Sequence, residues 1–527
     1  MKILGGVTAA TLVALALLAP AASATDFCVP NLSACPGGSG IAKADLEEAM
    51  GTDATDGLAD TVYLAAGTFT ETGAYEPASG FKNPGSIEPQ GSDPLTVVGI
   101  GAASVVTSSG SGNIYLMALG NGGARDVLLR DLTLQVPAGF PDGEGAALQL
   151  YDDDKIDNVA IVSLNPGSDG IVAVGSGNEV RSSVLRGEGS GLIGDGVNTF
   201  SGGEVTVEDT LIVGASWPLI TSGVGSELTA RRVSEVGTRT YGAVVTAGTM
   251  RIENSIFTID DGIGLYASAA VDDAMLEADH VTIVNEGSAY PALEGKKFSA
   301  TAGDVDIVVT NSILRGFSSG YKMESSFGPG IGLVHLTARY SNLPSNGLDA
   351  GGTADFGMGN IDADPLFNAD LSLPPTSPSV DAGDPAPGGL ASDFLGAPRP
   401  NDGDGEGLAV RDQGAFEYQR PAPPSGGGTG GGTGGGGNAV DRAAPQTTIR
   451  KGPGSKLAQG KAKFTFRSSE AGSIFVCKLD KRKAKPCRSP KTYTGLKPGR
   501  HLFKVWATDK AGNEDPTPAK KRIRVPA

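Results

Sequence analysis

The sequence predicts an all-β protein, a right-handed parallel β-helix solenoid with a second, smaller β-sandwich domain. Three observations lead there. The first is composition: 527 residues include 79 Gly but only 3 His and 6% aromatics, which suits many short strands joined by tight turns. The second is an internal repeat of short alternating strands. The third is a break in charge. The chain is acidic at −17, yet residues 439–527 hold 22 Lys or Arg against 6 Asp or Glu. An acidic body of about −33 thus precedes a basic tail of about +16.

The repeat template is apolar-x-apolar-x-turn residue, followed by a short strand. It is clearest in Met250–Phe257, Val205–Ile212 and Ile307–Leu314. The turn column reads Asp131, Asn158, Ser182, Asp209, Arg232, Asn254, His280, Asn311, Tyr340. Alternation with period two sends one face of each strand inward. Asn and Asp suit the corner because they tolerate left-handed backbone and bond to it locally. One coil cannot bury its own apolar row, so the coils must stack, each strand pairing with its counterpart in the next. A leucine-rich repeat would need Leu and Asn at fixed places, and the mixed aliphatics and drifting coil length argue against it.

The ends and joints follow. Residues 1–24 read as a signal peptide, with Lys2, an apolar run from Thr11 to Leu18, and Ala22-Ser23-Ala24 as a small-x-small cleavage site. That run is too short to span a bilayer, so no integral membrane anchor is expected. Ala42–Met50 is a short helix former, with Leu46 and Met50 on one face, suited to cap the stack. The first coil is expected at Asp60–Phe69 and the second at Leu95–Gly99. The body then runs over 25–419, a Pro/Gly-rich linker over 420–438, and the sandwich over 439–527. Cys28 with Cys35 and Cys477 with Cys487 form two close pairs, expected to bridge in an oxidising compartment.

The repeat column over roughly 40–345 resembles the pectate-lyase-like superfamily. Ile361–Phe367, Leu371–Gly383 and Arg411–Tyr418 resemble the closing segment of bacterial secreted β-helix proteins of the choice-of-anchor Q type. Phe475–Asp480, Gly499–Val505 and Ala507–Asn513 are similar to bacterial immunoglobulin-like modules. The resemblance implies export and work at the cell surface or wall, and no single reaction.

The resemblance implies that catalytic groups, where present, stand on one outward sheet face and in the loops beside it. Hydrolysis needs paired carboxylates. Asp260 and Asp261 are adjacent, but Asp260-Asp261-Gly262 matches Ser168-Asp169-Gly170 as a turn between coils, and no His-Gly element accompanies it. Lyase chemistry needs a cationic base and charge neutralisation at a carboxylate. Lys155 beside Asp152, Asp153 and Asp154, and Arg231, are the residues available; three adjacent carboxylates also suit a solvated turn. A serine or cysteine nucleophile finds no support, since His is rare and the cysteines pair. Asn401–Gly407 spaces Asp402, Asp404 and Glu406 at alternate positions, resembling a calcium loop, with Asp412 as a further ligand and no Glu at the twelfth place. A structural Ca²⁺ is the one cofactor expected.

The expected function is non-catalytic binding of extracellular or cell-wall polysaccharide, with a polysaccharide lyase or glycoside hydrolase acting on an acidic polysaccharide as the alternative. The basic tail, with Lys478, Lys481, Arg482, Lys483, Lys485 and Arg488 around its cysteine pair, reads either as a solubility bias or as a surface for anionic wall polymer or acidic polysaccharide, with the acidic body itself as a second partner. That stretch carries no interleaved aromatic, so nucleic acid is not expected as a partner.

Overall fold

In the computed structural model, one coil shows the plan. Val127–Arg130 runs in a first sheet, turns at Asp131, continues as Thr133–Val136 in a second, and returns through Ala146–Leu150 in a third before Lys155–Asp157 rejoins the first. Repetition gives parallel sheets of 14, 10 and 10 strands among the described residues, in the expected right-handed β-helix. Those residues are 25–51, 58–71, 93–108, 115–119, 126–138, 145–187, 193–420 (without 239, 271, 288, 300–301, 326–332, 387 and 405–406), 445, 447–452, 461–468, 473–487, 489–508, 515 and 518–525. The expected signal peptide and nearly all of the linker lie outside them.

The alternating aliphatics fill one elongated interior. Val207, Ile252 and Val309 are each at most 1% exposed and belong to a single core cluster. All nine residues of the turn column adopt left-handed backbone, with φ between 46° and 56°. This sharp corner keeps the ladder running through the bend: Asn158 N–H donates to Arg181 O at 3.1 Å, and Asn254 N–H to Asp279 O at 3.1 Å. Beside it stands an inward hydroxyl row. Ser255 Oγ donates to Glu253 O at 2.8 Å and accepts Val233 N–H at 3.1 Å, and Ser312 repeats the pattern. These bonds satisfy backbone groups that burial would otherwise leave unpaired.

The top of the stack differs from expectation in one respect. The first sheet begins with Asp26–Val29, which pairs with Asp60–Leu64 before the expected first coil. Ile41–Ala42 pairs on the other side of Asp26–Val29, so the capping helix is only Leu46–Gly51. Asp45 and Glu48 close a reciprocal cap, Oδ1 to Glu48 N–H at 2.7 Å and Oε2 to Ala44 N–H at 3.1 Å. Leu46 and Met50 are fully buried, as a lid requires. The Cys28–Cys35 disulfide staples this end.

After Thr353–Phe356 the chain loses regular structure and runs back along the corner column. Asn342 Nδ2 donates to Ser379 Oγ (2.9 Å), Asp384 N–H to Asn311 Oδ1 (2.7 Å), Ala415 N–H to Thr282 Oγ1 (2.9 Å), and Asn254 Nδ2 to Ser392 O (2.7 Å). The lower corner amides are thus docking points for the closing segment. Under it His280 is wholly buried, and Arg399 meets Glu417 at 2.9 Å with neither side chain exposed.

The tail is a sandwich of antiparallel sheets. Thr447–Lys451, Ala462–Ser468 and Lys491–Tyr493 form one, and Lys485–Cys487, Ile474–Leu479, Gly499–Thr508 and Ala519–Val525 the other. Phe464 stacks on Phe503 at 4.0 Å across the core, and Cys477–Cys487 is bridged.

Candidate functional site

The third sheet shows one face to the exterior, and its in-register stacking turns single residues into rows. One outward row carries Asp169, Asp195, Trp217, Tyr241 and Ile263 on successive coils. The neighbouring row carries Gln149, Val172, Asn198, Ile220, Val244, Tyr266, Glu294 and Lys322. Coils lie about 4.8 Å apart, so each row is a ruler along the axis.

Two groupings stand out. Trp217 packs edge-on against Tyr241 at 6.0 Å, and Tyr241 lies 5.0 Å from Tyr266. The three rings form a continuous aromatic strip over three coils, with Trp217 the most open at 36% exposed. Next to the strip stand Asp169 and Asp195. Asp195 N–H donates to Asp169 Oδ1 at 2.7 Å, and Asn198 Nδ2 donates to Asp195 Oδ2 at 2.8 Å. Ser222 Oγ in turn donates to Asn198 Oδ1 at 2.9 Å, which fixes the amide's orientation. Gly194 permits the approach, since a Cβ there would lie 2.4 Å from Asp169 Oδ1. Burial pushes the Asp169 carboxyl up to about 6; burial and the charge of Asp169 push Asp195 up to about 7. With both raised, one of the two carboxyls keeps its proton near neutrality.

The residues singled out from the sequence do not converge. Asp152 Oδ1 accepts Ser176 N–H (2.8 Å), Asp153 sits at φ 58°, and Asp154 is fully buried, accepting Tyr151 N–H (3.0 Å) and Val127 N–H (3.3 Å). Burial pushes Asp154 up to about 7. The carboxylates of Asp152 and Asp154 tie the corner between the third and first sheets, and Lys155 begins the next strand with its side chain exposed. Arg231 lies at the end of a first-sheet strand, several coils away, paired with Glu253 at 2.9 Å. Asp260 and Asp261 occupy the opposite corner, between the second and third sheets. The carboxylate of Asp261 packs over Gly287, where a Cβ would lie 2.2 Å from it.

The matched Asp-Gly pairs are therefore out of phase. Gly170 aligns with Gly264, not Gly262, so Asp169 occupies the place of Ile263 on the outward row while Asp261 remains in the turn. The missed residues did leave a signal: Asp169-Gly170-Ile171, Asp195-Gly196-Val197, Tyr241-Gly242-Ala243 and Ile263-Gly264-Leu265 repeat x-Gly-apolar in four third-sheet strands, with Trp217-Pro218-Leu219 in the corresponding place of a fifth.

The calcium expectation changes its donors. Oxygens of Asp381, Asp402 and Asp404 lie within 4.8 Å of one another, and Asp381 was not foreseen. Hard oxygen donors are what Ca²⁺ takes. Asp381 also holds the loop itself, accepting Asp404 N–H at 2.7 Å. Asp412 is elsewhere, buried and accepting Asp381 N–H at 2.7 Å, and burial and Glu417 push it up to about 8. Glu406 lies outside the described residues.

No protein-family model and no curated protein matches the sequence. Several solved structures share the coil architecture. A pectate lyase, Pel9A, is 14% identical over 75% of this chain and 97% of its own, with a TM-score of 0.43. A rhamnogalacturonan lyase is 10% identical over 66% and 90%, with a TM-score of 0.42. The catalytic domain of a GH87 alpha-1,3-glucanase in complex with nigerose is 14% identical over 60% and 67%, with a TM-score of 0.37. Likeness at this level carries no residue role to this chain. Among the described residues no helix is long and apolar enough to cross a membrane.

Proposed function

We propose that the outer face of the third sheet binds an extended polysaccharide, in a protein that works outside the cell. The observation that carries this is the Trp217–Tyr241–Tyr266 strip, since amphipathic rings on three successive coils of a rigid axis offer apolar contacts to successive sugar rings. The adjoining Asp169 and Asp195 favour a neutral glycan over a uronate, whose carboxylates they would repel. The two disulfides fit an oxidising compartment. Affinity electrophoresis through gels of neutral glucans and of polygalacturonate tests it. Trp217→Ala should abolish retardation in the neutral-glucan gel that slows the wild type, and an unaltered mobility shift in that gel would defeat the reading.

A second reading, glycoside hydrolysis, is favoured by the Asp169–Asp195 pair itself. The carboxyl that keeps its proton would donate it to the glycosidic oxygen as the C–O bond breaks. The ionised partner would take a proton from the water that attacks the anomeric carbon. Release of reducing ends from a glucan, lost in Asp195→Asn with binding retained, supports hydrolysis. Binding without release under all conditions leaves the protein a binder.

A further inference from the structure

We propose that the tail sandwich carries a separate binding face for a linear acidic polysaccharide, on the side of its larger sheet turned away from the core. This goes beyond the proposed role of the solenoid and does not depend on it. The strand register assembles the face. Lys478, Lys504 and Lys520 lie directly opposite one another on three neighbouring strands, and Arg500 lies opposite Arg524. Arg522 stands between Lys520 and Arg524 on the edge strand and opposite Leu502. The alternate positions, Cys477, Leu479, Phe503, Val505, Ile523 and Val525, fill the core, so these six cations share the other face.

Like charges directly opposed on adjacent strands destabilise a sheet. Here they form a lattice spaced about 4.8 Å across strands and about 7 Å along them. Among the described residues no anion of the tail offsets them. Of the tail's described carboxylates, Asp515 is buried and accepts Thr447 N–H at 2.7 Å, and Asp480 binds His501 and the Leu502 N–H. None of the six cations forms an ion pair among the described residues. Charge complementarity therefore calls for an external polyanion.

The apolar part of the face narrows the choice. Trp506 follows Lys504 two residues on along the same strand, half-buried and opposite Val476, and Leu502 precedes it by two. A phosphate chain without rings, such as polyphosphate, offers nothing to an indole beside the cations. A chain of charged sugars does: each ring offers a C–H face to Trp506 and a carboxylate or sulfate to the lysines and arginines. The lysine-rich stretch 478–488 itself carries no aromatic; Trp506 comes from the strand paired beside it.

The test uses the full chain and isothermal titration with three probes: polygalacturonate, dextran sulfate and long-chain polyphosphate. Wild type should bind the two polysaccharides with an affinity that falls steeply as salt rises. Lys504→Gln/Lys520→Gln/Arg522→Gln should weaken both about tenfold or more while melting no earlier than wild type, since it removes like-charge opposition. Trp506→Ala should weaken polysaccharide binding and leave polyphosphate unaffected. Trp217→Ala should leave all three unchanged, which separates failure of this inference from failure of the solenoid's. Undiminished polygalacturonate binding by the triple variant would overturn the proposal. So would equal binding of polyphosphate and the polysaccharides with Trp506→Ala silent on each.

Discussion

Asp195 stands one coil on from Asp169, and its own backbone N–H donates to the Asp169 carboxylate at 2.7 Å. The ladder that builds the sheet thus also holds two acids side by side. Their shared environment raises both, to about 6 and about 7, with burial the leading cause. If the pair hydrolyses glycan, the rate falls as pH rises through about 7, because the acid loses the proton it must donate. Asp169→Asn removes the neighbouring charge and lowers the apparent pKa of Asp195. A pH profile of reducing-end release by the wild type checks the first, where a rate flat to strongly alkaline pH would contradict it, and an NMR titration of the Asp195 carboxyl in Asp169→Asn checks the second.

Glu235 points into the solenoid interior between Ile212 and Phe257 on neighbouring strands, and it is fully buried. Burial pushes its carboxyl up to about 8. A carboxyl raised in the folded state favours folding while protonated in both states. That contribution is lost as pH rises from the unfolded value, about 4.3, through about 8. Glu235→Met should therefore raise the melting temperature at pH 8 by at least about 2 °C and flatten the alkaline slope of a melting-temperature scan. A variant that melts lower at every pH would show that the carboxyl is needed.

His280 sets the opposite limb. Burial beneath the closing segment holds its imidazole down at about 4, despite Asp279 at 2.9 Å. The unfolded chain then binds a proton that the folded chain refuses, so stability is lost as pH falls from about 6.5 towards 4. His280→Gln should flatten the acid side of the same scan without altering the alkaline side.

Arg399 latches the closing segment. It meets Glu417 at 2.9 Å and donates to Asn254 Oδ1 at 3.0 Å, all buried. Arg399→Met leaves Glu417 buried without its counter-charge, a loss of about 3–5 kcal/mol. Hydrogen exchange should report local opening over 391–399 and 411–418 while the strands around Ile252 stay protected. Uniform loss of protection would mean that the segment and the coils unfold as one.

The solenoid was legible because its cause is local. Alternation placed Val207, Ile252 and Val309 inside, and a polar corner residue required left-handed backbone at positions as unlike as Asn254, His280 and Tyr340. The outward face was not legible in the same way. A residue such as Asp169 gains meaning only from its neighbour one coil away, and the varying coil length hides that pairing. The phase error between Asp169-Gly170 and Asp261-Gly262 is two residues, enough to move a carboxylate from a binding face to a turn. Asp26–Val29 was missed for a related reason: its strand partner lies beyond an intervening helix and disulfide loop.

The chain has two tryptophans, Trp217 and Trp506. In Trp506→Phe, fluorescence therefore reports on Trp217 alone. Titration with neutral gluco-oligosaccharides should give a saturable change in intensity or emission maximum as a sugar ring covers the indole. A spectrum that does not move with any glycan the protein demonstrably binds would place the binding site elsewhere and contradict the account.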